Sequence, residues 1–334
     1  MKFLRFDDRA TGLLVEGSPP RVLDVAGSLA RFRALDAAAA DSVAAGLPDG
    51  GRGSWVPLIE NWDRVRGALQ KMLDLAAQGD RAGLSVRPLE SVRLGPPLAS
   101  RHGRIIALGA NVAAHASAAF KVVFGTDVPP EHFHKEKRDG LPPWGFLIVP
   151  ETVVGPAEPV SPPAGVQKFD YEGEIAVILK AGGRRMRPDD IAFWGYTAWN
   201  DFSIRDGRLG IGLPLHRGAF SWALEKNFET GNACGPWVVV DEPYDLGRLR
   251  CTLTVNGERR QDWSTADMIY DFRETAEFVS RYFDLTPGDI ICSGTGAGTA
   301  IEGGRDGARW LKPGDRVEVE VEGVGVLRND VAKW

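Results

Sequence analysis

Two glutamates and an aspartate carry the first chemical signal in this chain. Glu172 and Glu174 stand two apart in Phe169-Asp-Tyr-Glu-Gly-Glu-Ile-Ala-Val-Ile-Leu179. Side chains of a strand alternate faces, so both carboxylates point the same way. Ala176 and Ile178 continue the glutamate face, and Ile175, Val177 and Leu179 continue the other. Both faces turn apolar, which marks a strand buried on both sides. Carboxylates entering such a core need a cation or a proton. Val317-Glu-Val-Glu-Val-Glu322 is an internal contrast: three Glu share one face and three Val the other, the pattern of a half-exposed strand. A third acid follows in GYTAWNDFSIRD, where an apolar run leads into Asn200-Asp201 and then Arg205-Asp206. Glu172, Glu174 and Asp201 form a hard-oxygen donor set that suits Mg²⁺ or Mn²⁺ with several waters retained. A second reading uses the same residues: Glu172 or Glu174 pairs with Arg205 or Lys226, and Asp201 caps a turn. The residues alone leave both open.

The elements that must position these side chains are legible in outline. The chain has 334 residues, 43% of them hydrophobic, enough for one large domain or a main domain with a smaller one. Its 40 basic and 45 acidic residues give a net charge of −5. That mild acidity argues against a nucleic-acid partner, whose phosphates need a basic stripe. The N-terminal residues develop no apolar core like that of a signal peptide. No run reaches the roughly 18 apolar residues of a membrane span. Cys234, Cys251 and Cys292 are far apart and fit reduced core thiols in a cytoplasmic protein. With 40 Gly and 22 Pro the chain reads as turn-rich and strand-heavy.

Residues 1–100 read as a small N-terminal α+β domain and 101–334 as the main one. Short strands open the first part, with helices expected near 30–46 and 56–78. Leu58, Trp62, Val65, Leu69, Met72 and Ala76 recur at helical steps in the second of these. In the main part a capping box at Ser264–Asp267 is expected to open a helix with Ile269, Phe272, Ala276 and Val279 on one stripe. Pro-Gly-Asp turns at 287–289 and 313–315 each launch a strand. Segment 121–146 is polar, Pro-rich and aperiodic, so it reads as a long loop, a candidate lid bearing His132 and His134. Ser293-Gly-Thr-Gly-Ala-Gly-Thr299 lacks the Lys and the following helix of a phosphate loop. It reads as a plain turn or as a turn lining a pocket, with Thr295 offering a hydroxyl or an N–H. His115, in an Ala-rich helix, is either a general base or a satisfied core histidine.

Taken in order, these pieces resemble the fumarylacetoacetate hydrolase family over about residues 100–334. Gly109-Ala-Asn111 with His115 resembles its G-x-N-Y-x-x-H segment, and Asp170-Tyr-Glu172-Gly-Glu174 its D-Y-E-x-E strand. Gly195 to Asp206 resembles G-Y-T-x-x-N-D-x-S-A-R-D. Lys226-Asn-Phe-Glu-Thr with Gly235-Pro-Trp resembles K-S-F-D-T and G-P-W. Val255-Asn-Gly-Glu, Gln261-Asp262 and Ser264-Thr-Ala-Asp-Met268 resemble V-N-G-E, Q-D and N-T-S-D-M. Ser293-Gly-Thr295 with Gly298, then Lys312-Pro-Gly-Asp and Leu327-Arg-Asn329, resemble the closing loop and last strand.

The resemblance implies a strand-rich α+β fold, a mixed β-sandwich roll behind a smaller N-terminal domain, usually dimeric. It implies Mg²⁺, or Mn²⁺ or Ca²⁺ in its place, held by Glu172, Glu174 and Asp201. It implies hydrolysis of a C–C bond in a 1,3-dicarbonyl or acylpyruvate-type acid. His115 is then the base, Lys226 the charge beside the enolate, and Arg205 a substrate clamp or brace. Asn111 and Thr295 are candidate substrate contacts. Relatives decarboxylate or isomerise 2-oxo acids or process sugar acids, and those reactions are the alternative. A catalytically silent acid-binding or structural member is a second alternative. One departure bears on the choice. Members with a His–Glu dyad often carry Glu three residues after the His, where this chain has Ala118. Val112 also replaces the Tyr that follows Asn. Two readings follow equally: Glu131 or Glu136 folds over and orients His115 instead, or the missing acid marks a different reaction. Trp263 suggests an altered pocket or interface.

Overall fold

A computed structural model describes residues 1–334 apart from 8, 80–81, 208–218 and 305–308. Strands β1 (Lys2–Phe6), β2 (Ala10–Val15) and β3 (Arg21–Asp24) lead to helices α1 (Val25–Leu35), α2 (Ala37–Gly46), α3 (Val56–Glu60) and α4 (Trp62–Ala77). Then come β4 (Val86–Pro88), β5 (Leu94–Gly95), β6 (Ile105–Leu108), α5 (Ala113–Phe124), α6 (Pro130–Arg138), β7 (Gly145–Ile148) and β8 (Val153–Val154). The centre of the chain holds β9 (Phe169–Asp170), β10 (Gly173–Leu179), β11 (Phe193–Asp201), β12 (Ser203–Ile204), α7 (Ala219–Leu224) and β13 (Asn232–Val240). The last part holds β14 (Arg250–Val255), β15 (Glu258–Ser264), α8 (Phe272–Ser280), β16 (Ile290–Cys292), β17 (Arg316–Val321) and β18 (Gly325–Asp330).

The architecture is the expected strand-rich α+β type. A mixed twelve-stranded sheet runs in the order β4-β3-β2-β1-β13-β11-β10-β16-β6-β7, with β5 added to β1 and β8 to β13. A four-stranded antiparallel sheet, β15-β14-β17-β18, packs on one face. β10 lies at the centre and is buried along its whole length. Its Ile175, Val177 and Leu179 join the core shared with Leu253, Val319 and Val321 of the smaller sheet. Ala176 and Ile178 face the opposite core, with Phe3, Trp55, Trp62 and Leu69 of the N-terminal part. The two-sided burial read from the pattern is present, and Glu174 continues the second face. The first 100 residues meet the rest through the sheet itself, because β1 pairs antiparallel with β13.

Several elements differ from expectation in informative ways. The Ala-rich 30–46 stretch forms two helices, because Asp36 ends α1 and its side chain accepts from Ala39 N at 3.0 Å to start α2. A cap of this kind contributes about 1 kcal/mol. The 56–78 stripe is broken at Asn61 into α3 and α4, with Trp62, Val65, Leu69, Met72 and Ala76 all buried. The Ser264 capping box is real but closes a 3₁₀ turn at Thr265–Asp267. A second box, Asp271 with Glu274, starts α8 at Phe272, so Ile269 stands outside the helix. Segment 121–146 is not a loop: it completes α5, forms α6 and starts β7. Pro130 opens α6, Glu131 lies in its first turn and Lys135, Lys137 and Arg138 in its last. That order suits the helix dipole. The helix carries only a weak stripe because no residue in it is fully buried.

Candidate functional site

Glu172, Glu174 and Asp201 converge where the ends of β10 and β11 meet. One oxygen from each lies within 4.8 Å of the others, and all three residues are buried. The registry explains the meeting, since antiparallel pairing sets Glu174 opposite Trp199 and Gly173 opposite Asn200. Asn200 fixes the junction, accepting from Glu172 N at 3.0 Å, while Asp201 N donates to the Glu172 carbonyl at 3.0 Å.

Two cations face this cluster. Lys226 Nζ bonds Glu172 and lies 2.8 Å from Asp201 Oδ2. Arg205 bonds Glu172 and reaches Asp170 at 3.0 Å. The ion-pair reading therefore holds for Glu172. It extends to one oxygen of Asp201, through Lys226, and leaves Glu174 and the other Asp201 oxygen unaccounted for. Among the described residues no ion pair reaches Glu174, whose contact is Gly294 N at 3.2 Å. Asp201 Oδ1 is buried without a hydrogen-bond partner. Burial pushes Glu174 well above the usual carboxylate range, helped by the charges of Asp201 and Glu172. Burial and the Glu172 charge push Asp201 up to about 6, against the pull of Lys226. Glu172 goes the other way: burial raises it, but Arg205 and Lys226 together hold it far below its ordinary value. Four carboxylates, counting Asp170, meet two cations, and a doubly charged ion balances that set. An all-oxygen donor set with an orphaned buried oxygen fits Mg²⁺ or Mn²⁺.

His115 stands on the first turn of α5 and is buried. Its Nε2 points at the cluster, 3.8 Å from Glu172 Oε1, and its Nδ1 lies 2.7 Å from Glu302 Oε1. Glu302 replaces both acids expected from 121–146. Glu136 instead pairs with His132 one turn away at 3.1 Å, and Glu131 is exposed on α6. Neither can serve His115, because α6 packs over the outer part of α5. Glu302 arrives from the 3₁₀ turn Ala300–Gly303, just after the Gly-rich loop. Its carboxylate accepts from Gly298 N at 2.8 Å and lies 3.2 Å from Thr299 Oγ1. Asp170 anchors that turn by accepting from Ala300 N at 2.6 Å and Ile301 N at 3.2 Å. One buried acid thus fixes both Arg205 and the turn that presents Glu302.

The other expected contacts are placed as follows. Thr295 lines the carboxylate cavity, yet its hydroxyl donates to Gly173 O at 2.9 Å and accepts from Gln261 Nε2 at 2.8 Å. Asn111 is a staple: Nδ2 donates to Tyr270 O and Ser293 O, and Oδ1 accepts from Tyr270 N. Its polar atoms are engaged with backbone rather than pointed at the acids. His132 and His134 sit on α6 and do not line the carboxylate cavity. Trp263 belongs to the core rather than to a pocket wall, packed against Gly296, where a Cβ would lie 2.2 Å from its ring. The cavity at the acids has a volume of about 70 Å³ and is walled by Leu108, Phe146, Trp222 and Ile301 as well.

Fold and site define a fumarylacetoacetate hydrolase-type protein. The Fumarylacetoacetate (FAA) hydrolase C-terminal family matches residues 104–332, and the chain belongs to that family. An uncharacterized protein of Archaeoglobus fulgidus is 32% identical over 249 residues, 74% of this chain and 84% of its own. Oxaloacetate tautomerase YisK of Bacillus subtilis is 29% identical over 288 residues, 84% of this chain and 86% of its own. The crystal structure of maleylpyruvate hydrolase from Sphingobium sp. SYK-6 with manganese(II) ion and pyruvate shares the fold. It superposes with a TM-score of 0.67 at 24% identity, covering 99% of both chains.

Proposed function

We propose that this protein is a divalent-metal-dependent hydrolase that cleaves a C–C bond in a 1,3-dicarbonyl acid of the acylpyruvate type. The observation that carries this reading is the His115–Glu302 pair set beside the three carboxylates. Glu302 accepts the Nδ1 proton, which leaves the Nε2 lone pair facing the cluster. Glu172, Glu174 and Asp201 are the residues to hold Mg²⁺, with Mn²⁺ or Ca²⁺ able to replace it. When bound, such an ion supplies Lewis-acid polarisation of the substrate oxygens, worth several kcal/mol. His115 Nε2 takes a proton from water as the oxygen adds to the distal carbonyl. Cleavage of the C–C bond releases a carboxylic acid and leaves its electron pair as the enolate of pyruvate. Lys226 faces that developing charge, and the imidazolium returns its proton to the enolate carbon. Arg205, buried and held between Asp170 and Glu172, braces the donor set.

A second reading is keto–enol tautomerisation of a 2-oxo acid such as oxaloacetate. It is favoured by the tautomerase relative that spans 84% of this chain, and His115 could move the same proton without water attack. The test is to incubate the purified chain with acetylpyruvate and with enol-oxaloacetate, each with Mg²⁺, Mn²⁺ or chelator. Metal-dependent release of acetate and pyruvate is expected. Enol loss without C–C cleavage would select the tautomerase reading. A homodimer is supported by exposed apolar side chains in and beside the edge strand β7 and just after α8: Leu147 lies in β7, Trp144 immediately before it, and Tyr282 two residues past the end of α8. Light scattering should give twice the chain mass. A reducing, cytoplasmic setting is supported by three buried free cysteines. No helix among the described residues is long and apolar enough to cross a membrane.

A further inference from the structure

The carboxylate cavity adjoins a second and larger chamber of about 340 Å³. The two share Gly109, Ala110, Ala119, Val123 and Trp144. Helix α5 divides them: His115 faces the acids, while Ala116, Phe120 and Phe124 face the chamber. Phe133 of α6 and Ile269 complete the wall, with the Phe120 ring 4.5 Å from Phe124 and 6.1 Å from Phe133 between centroids. At the junction Trp144 packs on Gly109, where a Cβ would sit 2.5 Å from the indole. Among the described residues lining the chamber, Glu136 is the one acidic or basic side chain, and its partner is His132 at 3.1 Å.

We infer that the substrate carries an uncharged apolar acyl tail, aryl or medium-length alkyl, which occupies this chamber while its 2-oxo acid head lies at the carboxylates. The inference rests on the 2-oxo acid reading of the head site. A tail ending in a carboxylate would lose its hydration in a chamber that offers no lining cation, beside a like-charged Glu136. An apolar tail loses nothing and gains burial, about fourfold in affinity per methylene. Size agrees, because an apolar cavity of about 150 Å³ already accepts benzene, and this one is larger.

Binding separates the tail question from the chemistry. Titration calorimetry of the Mn²⁺-loaded full chain would compare 2-oxo-4-phenylbutanoate, 2-oxoadipate and pyruvate. The phenyl acid is expected to bind at least tenfold more tightly than either. Equal affinities, the reverse order, or binding of none of the three overturns the inference. Phe120→Ala should weaken the phenyl acid about tenfold more than it weakens pyruvate, and equal weakening of both counts against it. Phe133→Arg, on the outer helix, should invert the preference towards 2-oxoadipate. None of the three acids carries the second carbonyl that C–C hydrolysis needs, so their order of binding tests the tail alone. That order without any release of acetate and pyruvate from acetylpyruvate would refute the hydrolase reading and leave the tail assignment standing.

Discussion

On the proposed reading the chemistry concentrates in His115, its partner Glu302 and three clustered acids. Against burial, Arg205 and Lys226 hold Glu172 low, while burial and neighbouring charges push Glu174 and Asp201 up. Glu302→Gln keeps the shape of the His115 partner but allows the wrong tautomer. We expect kcat to fall about 10²- to 10⁴-fold with KM little changed. His115→Ala should cost as much, and the double variant little more, because the two act as a unit. Independent, multiplying losses would separate them. The pH response follows from Asp201, whose ordinary value of 3.8 is pushed up to about 6 by burial. A carboxyl raised in the folded state favours folding while protonated. Its contribution is full below the unfolded value and lost as pH rises through about 6. In chelator, Tm should therefore decline from about pH 4 to pH 7, and the gain on adding Mn²⁺ should grow over the same range. A metal-induced Tm shift that is flat with pH would contradict this. Glu172 and Glu174 were legible because they enter a strand that is apolar on both faces, and Asp201 because it ends a second apolar run. Glu302 was not: it lies 187 residues from His115, and only the fold brings a Gly-rich turn to that helix.

At the scale of elements, Asp170 links what the site needs. It stands at the end of β9, fully buried, and accepts from Tyr171 N, Ala300 N, Ile301 N and Arg205. Asp170→Ala strands the Arg205 charge and frees the turn that presents Glu302. A loss of about 3–5 kcal/mol in urea unfolding is expected, with a larger fall in kcat than Arg205→Lys gives. A neutral effect on stability would remove Asp170 from the account. Helix α6 shows why 121–146 was misread as a loop. A helix that fully buries none of its residues writes only a weak stripe into the sequence, and its proline and charges resemble those of a loop. Its anchors are Lys137, which donates to Ile269 O at 2.6 Å and pairs with Glu274 at 2.7 Å, and Tyr270, which donates to Leu141 O. Lys137→Met should increase protease cleavage between 125 and 144 and raise KM for long-tailed substrates. Equal cleavage would show that α6 is held by other contacts.

Across the whole molecule, the site depends on a sheet that the first 100 residues help to build. Phe3, Trp55 and Trp62 cluster on Trp194 of β11, with centroids 5.2, 5.9 and 5.5 Å from it. The far end of the same strand carries Asp201. A chain starting at 101 would expose Trp194, Trp199 and Val238 and leave β13 without β1. We expect it to aggregate, and a soluble, cooperatively folding 101–334 fragment would refute that. The change of texture near residue 100 was visible in the sequence. The pairing of β1 with β13 was not, since register between distant strands is set by burial and not by local pattern. The central claim is that His115 and Glu302, beside the three carboxylates, deliver water to a C–C bond. Turnover of acetylpyruvate with Mn²⁺ in ¹⁸O-water tests it most directly. The account predicts one labelled oxygen in acetate for each pyruvate released, abolished by chelator and by His115→Ala; pyruvate formed without label in acetate, or a rate untouched by either treatment, would contradict it.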